Sequence, residues 1–279
     1  MRPAVRTVFK STARATSSWR MRPSFLVIGG QRCGTTTIFK VLSQHPQLAR
    51  PPVEKGTDYF TLHYSRGMSW YRSQFSLAAT ARARAYGHGD AVAFEACTYY
   101  LFHPLAIPRL ANDLPDVKLV AMLRDPVERA YSAYKHEFAR GFDVADTFDE
   151  ALELEDSRLE GEVERILADP DYESIPHRHH AYRRRGQYAE QLRRVLDHFP
   201  REQLHVMDSE LFFADPQREL ADLLGFLGLE AWSPGSIEQH NARPGTSMSP
   251  QARARLTEHY ASHDAELAQL LGRQPGWRS

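Results

Sequence analysis

The sequence predicts an α/β fold: a single domain with a central parallel sheet flanked by helices. Three observations predict it. Short apolar runs at 24–29, 91–95, 118–123 and 203–207 alternate with amphipathic segments of helical length. The run at 118–123 (KLVAML) is almost continuously apolar, as a strand covered on both faces must be. After residue 24 there is no internal repeat and no linker-like stretch, so one core is expected.

Residues 24–29 (SFLVIG) read as a buried strand closed by glycine. Residues 35–43 have helical spacing, with Ile38, Val41 and Leu42 on one face, and Pro46 ends the unit. A second short strand follows at 91–95, then a helix at 104–110 opened by Pro104. Strand 118–123 leads into helix 126–139, with Pro126 in its first turn. Helix 147–154 begins on Thr147, and Glu150 three residues on completes a capping-box pattern. Residues 161–185 are polar and aperiodic and read as an irregular, mobile region. Helices at 188–199 and 216–227 flank the strand at 203–207, and a last helix is expected over 250–271.

Composition excludes several classes. In 279 residues the hydrophobic fraction is 42% and the charged fraction 25%, which rules out wholesale disorder, a collagen-like chain and a coiled coil. Lys+Arg 35 balances Asp+Glu 35, whereas a protein that grips a long polyanion is usually basic, so no nucleic-acid partner is expected. Two cysteines, Cys33 and Cys97, fit a reducing compartment, and the expected location is cytoplasmic. No apolar run approaches the ~18 residues of a membrane span. No acidic residue precedes Glu54, and residues 1–23 carry Arg2, Arg6, Lys10, Arg14, Arg20 and Arg22. They read as a disordered basic arm ahead of a domain at 24–279; mitochondrial targeting is the minor alternative.

Two motifs carry chemistry. After the first strand stands Gly29-Gly30-Gln31-Arg32-Cys33-Gly34-Thr35-Thr36-Thr37, and a helix follows. The glycine spacing is that of the nucleotide loop G-x-x-x-x-G-K-S/T, with Thr35 where the lysine belongs. Inward N–H groups and the helix N-terminus still favour an anion. Hydroxyls of Thr35 and Thr36 can donate to phosphate oxygens, and Arg32 supplies a cation. A 5′-phosphate carrying something other than a triphosphate fits such a P-loop-type nucleotide fold. Cys33 reads as a small loop residue rather than a nucleophile. After strand 118–123 comes RDPVERAYSAY. Arg124 lies at a strand's carboxyl end, where open α/β sheets bind ligands, and Ser132 lies two turns into the next helix. Together they can close on one dianionic phosphate. Arg129 pairs instead with Asp125 or Glu128 on this reading.

QRCGTT and RDPVERAYSAY, in that order, resemble the sulfotransferases that use 3′-phosphoadenosine 5′-phosphosulfate (PAPS). The likeness extends from about residue 24 through FEACTYYLFHP, RGQYAEQL and LLGRQPGW, and is nearest to bacterial relatives of the heparan-sulfate branch. The resemblance implies a single α/β domain and PAPS as co-substrate, with PAP as product and no metal. It implies that Arg32, Cys33, Gly34, Thr35, Thr36 and Thr37 surround the 5′-phosphosulfate, and that Arg124 and Ser132 hold the 3′-phosphate. Arg32 replaces the commoner lysine and would stabilise the departing oxygen. Tyr188 matches a tyrosine found near the active site in relatives, and Arg243 is the counterpart of a basic residue in a late donor-contacting loop.

The general base is less well defined. Relatives of the heparan type carry a glutamate at the position held here by Gly56. Glu54, Asp58 and Glu95 are the candidates, and Glu54 is favoured if the chain bends at Gly56 to bridge the two-residue offset. Lys55 is a further cation that can stabilise the transferring sulfuryl group. The run His177-Arg178-His179-His180 reads as a polar loop rather than a metal site, because adjacent residues rarely converge on one ion. The acceptor is a hydroxyl or amine of a glycan, a lipid or a small molecule, in pockets shaped by variable loops. The competing readings are a P-loop kinase using ATP and magnesium, and a non-catalytic PAP-binding protein.

Overall fold

A computed structural model of the protein describes residues 13–52, 54–235, 237 and 247–278. Its sheet consists of β1 (Pro23–Val27), β2 (Leu48–Ala49), β3 (Val92–Ala96), β4 (Lys118–Leu123) and β5 (Leu204–Asp208), in the order β2-β3-β1-β4-β5. Every pairing is parallel. From central β1 the chain moves out to β2, returns to β3, and then crosses to β4 and β5. The carboxyl ends of β1, β3 and β4 therefore face one crevice, the usual ligand position in such a sheet.

Alternation along β1 divides the core into two layers. Leu26 and Ile28 join Leu119, Ala121, Leu192 and Val195 on one face. Phe25 and Val27 join Phe94, Val120, Ile38 and Leu42 on the other, with Phe25 stacked on Phe94 at 5.0 Å. Both faces are covered, which is why the strands read as unbroken apolar runs. A third cluster lies under helices Pro126–Phe138, Phe148–Leu159 and Pro250–Leu271.

Local chemistry sets the helix starts. Asp125 caps helix Pro126–Phe138 by accepting from Val127 N at 2.9 Å. Thr147 caps helix Phe148–Leu159 through Glu150 N, and Glu150 reaches back to Asp146 N, a reciprocal pair shifted by one residue from the standard box.

Two expectations need correction. Residues 161–185 are not irregular: they form helices Glu162–Ala168 and Ile175–His179. Several polar residues there, among them Glu162, Ser174, His177, His179 and Arg185, are buried and hydrogen-bonded, as Glu162 is to Ser174 and Tyr172, so no apolar period marks them. The basic arm is also seated from Ala13 onward. Ala13 is buried, Met21 N bonds to Ser76 O at 2.9 Å, and Arg72 donates to the carbonyls of Ser18 and Arg20.

Candidate active site

The phosphate loop is an extension of the sheet. Ile28 N bonds to Val120 O and Gly30 N to Met122 O, so β4 holds the loop's first half in place. A Cβ at Gly29 would lie 2.0 Å from Met122 N, so only glycine permits this approach. Helix Thr35–Leu42 then starts from Gly34.

Behind the loop lie groups that support it. Cys33 is buried, and burial pushes its thiol up to about 11, as an inert loop residue requires. Tyr188 OH stands 3.7 Å from Cys33 Sγ and donates to the carbonyl of Arg124 at 2.9 Å. Thr37 is buried in the helix. Arg129 pairs with neither Asp125 nor Glu128. It is fully buried and donates to the carbonyl of Tyr182, which puts a positive charge behind the loop.

In front of the loop is a cleft of about 320 Å³. Arg32, Thr35 and Thr36 line it on the loop side. Arg32 adopts φ 70°, and its Nε donates to Ser132 Oγ at 3.0 Å. Arg124 donates to the Arg32 carbonyl at 3.4 Å, and its Nε lies 4.0 Å from Glu210. Burial and the neighbouring Asp208 push the Glu210 carboxyl up to about 7. The two motifs thus meet: Arg32, Arg124 and Ser132 form one cluster, although they come from separate strand–helix junctions.

The opposite wall comes from the segment after β2. Lys55 Nζ donates to Thr35 Oγ1 at 2.8 Å and to Thr36 Oγ1 at 3.5 Å. Asp58 lines the cleft, accepts from Cys97 Sγ at 2.9 Å and pairs with Arg178 at 3.0 Å. Glu54 is exposed and is not part of the cleft wall. Glu95 lies beneath the wall, fully buried, and accepts from Thr57 N, Tyr71 OH and Tyr100 OH. Burial pushes its carboxyl up to about 7. Gly56 is not a free hinge. A Cβ there would lie 2.6 Å from Ala96 O, and bonds on either side of it, Ala96 N to Lys55 O and Thr57 N to Glu95, fix the path. No larger residue fits at this position without moving the end of β3.

Several cleft residues carried no clear signal in the sequence. Glu137 is buried and accepts from Gln31 Nε2 at 2.6 Å and His179 Nδ1 at 2.9 Å. Burial alone would raise its carboxyl, but the His179 bond and the charge of Arg140 outweigh this and hold it below the usual range. Arg185 donates to Gln31 Oε1 at 2.9 Å, and burial lowers its guanidinium to about 10. The histidine run disperses: His177 meets Tyr99, His179 meets Glu137, and His180 meets the Phe142 carbonyl. Among the described residues no three His, Cys, Asp or Glu converge on a common point, and no helix is long and apolar enough to cross a membrane. Arg243 lies outside the described residues.

A glycine loop at the end of a central parallel strand, with cations and hydroxyls beside it, defines an α/β domain with a P-loop-like fold. The chain belongs to the sulfotransferase domain family, whose model matches residues 22–244. It is similar to a sulfotransferase of Alicyclobacillus acidocaldarius of known crystal structure, at 31% identity over 93% of this chain and 100% of that one, with a TM-score of 0.66. It is 24% identical to the membrane-associated sulfotransferase kil1 of Dictyostelium discoideum, over 92% of this chain and 67% of that protein. It is 27% identical to the mouse bifunctional heparan sulfate N-deacetylase/N-sulfotransferase 1, over 89% of this chain but only 29% of that protein.

Proposed function

We propose that the protein transfers a sulfuryl group from PAPS to a hydroxyl or amine of a carbohydrate, lipid or small metabolite. One observation carries this reading: basic and hydroxyl side chains gather at two places beside the loop. Lys55 with Thr35 and Thr36 suits the 5′ end of the donor, and Arg124 with Ser132 suits a 3′-phosphate; Arg32, which the family resemblance assigns to the 5′-phosphosulfate, donates to Ser132 and so lies between the two. A nucleotide with phosphates at both ends uses both clusters, whereas a triphosphate uses one. The donor supplies an activated sulfur. The chain's own groups hold its two ends and place the acceptor in line.

For the base we favour Asp58, the one candidate among Glu54, Asp58 and Glu95 that lines the cleft. The acceptor's oxygen or nitrogen bonds to sulfur while the bond from sulfur to the 5′-phosphate oxygen breaks. Its electron pair stays on that oxygen, and the acceptor proton passes to Asp58. Arg178, bound to Asp58, keeps the carboxylate oriented. Two free cysteines are consistent with a cytoplasmic location. The test is transfer of labelled sulfate from PAPS to a panel of glycans, lipids and phenols, with ATP and magnesium in a parallel arm. Labelling from PAPS alone is expected. Phosphoryl transfer from ATP would overturn the reading in favour of a kinase, and tight PAP binding without any turnover would favour a binding protein.

A further inference from the structure

The loop lacks the lysine that nucleotide loops carry, and Thr35 stands in its place. From the geometry we infer that Lys55 replaces it from outside the loop, grips the 5′ end of the donor, and takes up a proton as the donor binds. This rests on the donor reading above.

The position is built by the fold. The Lys55 carbonyl accepts from Ala96 N at 2.9 Å, which fixes the segment to the end of β3. The packing of Gly56 against Ala96 and Cys97 fixes the next residue. The side chain is thereby aimed at the first turn of helix Thr35–Leu42, where it meets the two hydroxyls expected at the phosphosulfate. Arg32 is turned the other way, towards Ser132. Lys55, not Arg32, is thus the cation that meets both threonine hydroxyls.

The surroundings of Lys55 supply little counter-charge. Thr35 and Thr36 present neutral hydroxyls from the helix. From the end of β3, the Cys97 thiol is pushed well up by burial and by Asp58, and so stays protonated. Glu95 lies below and is engaged by Thr57, Tyr71 and Tyr100. On its own segment, Asp58 is engaged by Arg178 and Cys97. Across the cleft, Glu137 is engaged by His179 and Arg140, and His136, Arg185 and Arg32 add no negative charge. No carboxylate pairs with Lys55 among the described residues, and burial lowers its amine to about 8. A doubly charged 5′ group would be its first strong partner and would raise the amine again. Binding must then draw a proton from solvent wherever the free amine is already deprotonated. In the bound state the charged ammonium faces the oxygen on which charge develops.

The experiment is calorimetry of PAP binding to the whole chain between pH 7.5 and 9.5, in buffers of different ionisation enthalpy. The second ionisation of a phosphate lies near ~6, so the ligand does not titrate in this range. The wild type is expected to take up about half a proton per PAP at pH 8 and to approach about one by pH 9. Its affinity should fall by up to ~10-fold per pH unit above that. Lys55→Arg, charged throughout, should bind with little uptake and a flat pH profile. Lys55→Met should bind roughly 10- to 100-fold more weakly at pH 7.5 and take up none. PAP binding by the wild type without proton uptake would overturn this inference and leave the donor reading intact. The same applies if uptake persists in Lys55→Arg. No PAP binding at any pH would overturn both.

Discussion

The two walls of the cleft are made differently. The loop wall grows out of β1 and β4: Gly29 and Gly30 lie against the backbone of β4, and the helix begins at Thr35, directly after Gly34. The wall at Lys55–Asp58 belongs to no long element. It is fixed by an irregular segment whose backbone leans on the end of β3, with Asp58 in the left-handed region at φ 52°. Residues on the first wall have positions dictated by local spacing. Those on the second have positions dictated by contacts with residues about forty places further along the chain, such as Glu95–Cys97. The first wall is therefore a binding surface that sequence spacing can specify. The second carries Lys55 on the proposed donor side and Asp58 on the proposed acceptor side, so only its Asp58 end should change acceptor chemistry without disturbing donor binding.

If the walls divide the work in this way, the largest effect should come from the second one. Asp58→Asn is expected to lower turnover by roughly 10²–10⁴ while leaving PAP affinity within about twofold, the behaviour of a lost general base. Steady-state transfer assays and calorimetry on the same preparation check it. Weaker PAP binding with unchanged turnover would break the comparison.

The cluster at the end of β4, which reaches the loop wall through Arg32, should give the opposite pattern. Arg124→Ala is expected to cost roughly 1.5–3 kcal/mol of PAP binding, the worth of a charge-assisted hydrogen bond, and to leave 5′-AMP binding almost unchanged. The measurement is the ratio of the two affinities. Equal affinities for PAP and 5′-AMP in the wild type would remove the 3′-phosphate from this site.

Glu95 sharpens the comparison, because it anchors the second wall through Thr57 N at 2.8 Å without reaching the cleft. Burial raises it from 4.5 to about 7. Between those values the folded protein holds a proton that the unfolded chain has released. The contribution of this group to stability is thus fully present below about pH 4.5 and is lost as the pH rises towards 7. The loss amounts to about 3 kcal/mol at most. Unfolding measured from pH 5 to 8 should show the wild type losing stability relative to Glu95→Gln, whose side chain cannot ionise. Parallel pH profiles would mean that Glu95 is already ionised throughout.

The same division explains what the sequence made legible. All the longer strands were visible as apolar runs, and β2 was missed because two residues carry no period. Arg32, Thr35, Thr36, Arg124 and Ser132 were visible because each sits at a fixed offset from a strand end. That Arg32 reaches Ser132 was not, because it depends on how β1 and β4 lie side by side. His179 and Arg185 go unmarked because residues 161–185 read as a polar loop, and Glu137, on a helix that the sequence does predict, belongs to no motif. They are buried polar groups linked by hydrogen bonds, Glu137 to His179 and both Glu137 and Arg185 to Gln31, and a hydrophobic pattern cannot register them.

The smallest effect should be at Glu54, the carboxylate that spacing favoured as the base. Bringing it into the cleft would require the chain to bend at Gly56, and the backbone there has no such freedom. The Lys55 carbonyl is bonded to Ala96 N, Thr57 N is bonded to Glu95, and Gly56 itself lies against Ala96 O. Releasing Glu54 inward would break both bonds and withdraw Lys55 from Thr35. Glu54 instead remains exposed, and substitutions at such positions usually change stability by no more than about 0.5 kcal/mol. Glu54→Gln is therefore expected to keep turnover and PAP affinity within about twofold of the wild type. Assayed beside Asp58→Asn, it separates the two carboxylates. An inactive Glu54→Gln protein that still binds PAP would show that the segment rearranges when the acceptor arrives, and that the second wall is assembled by its substrate rather than by β3.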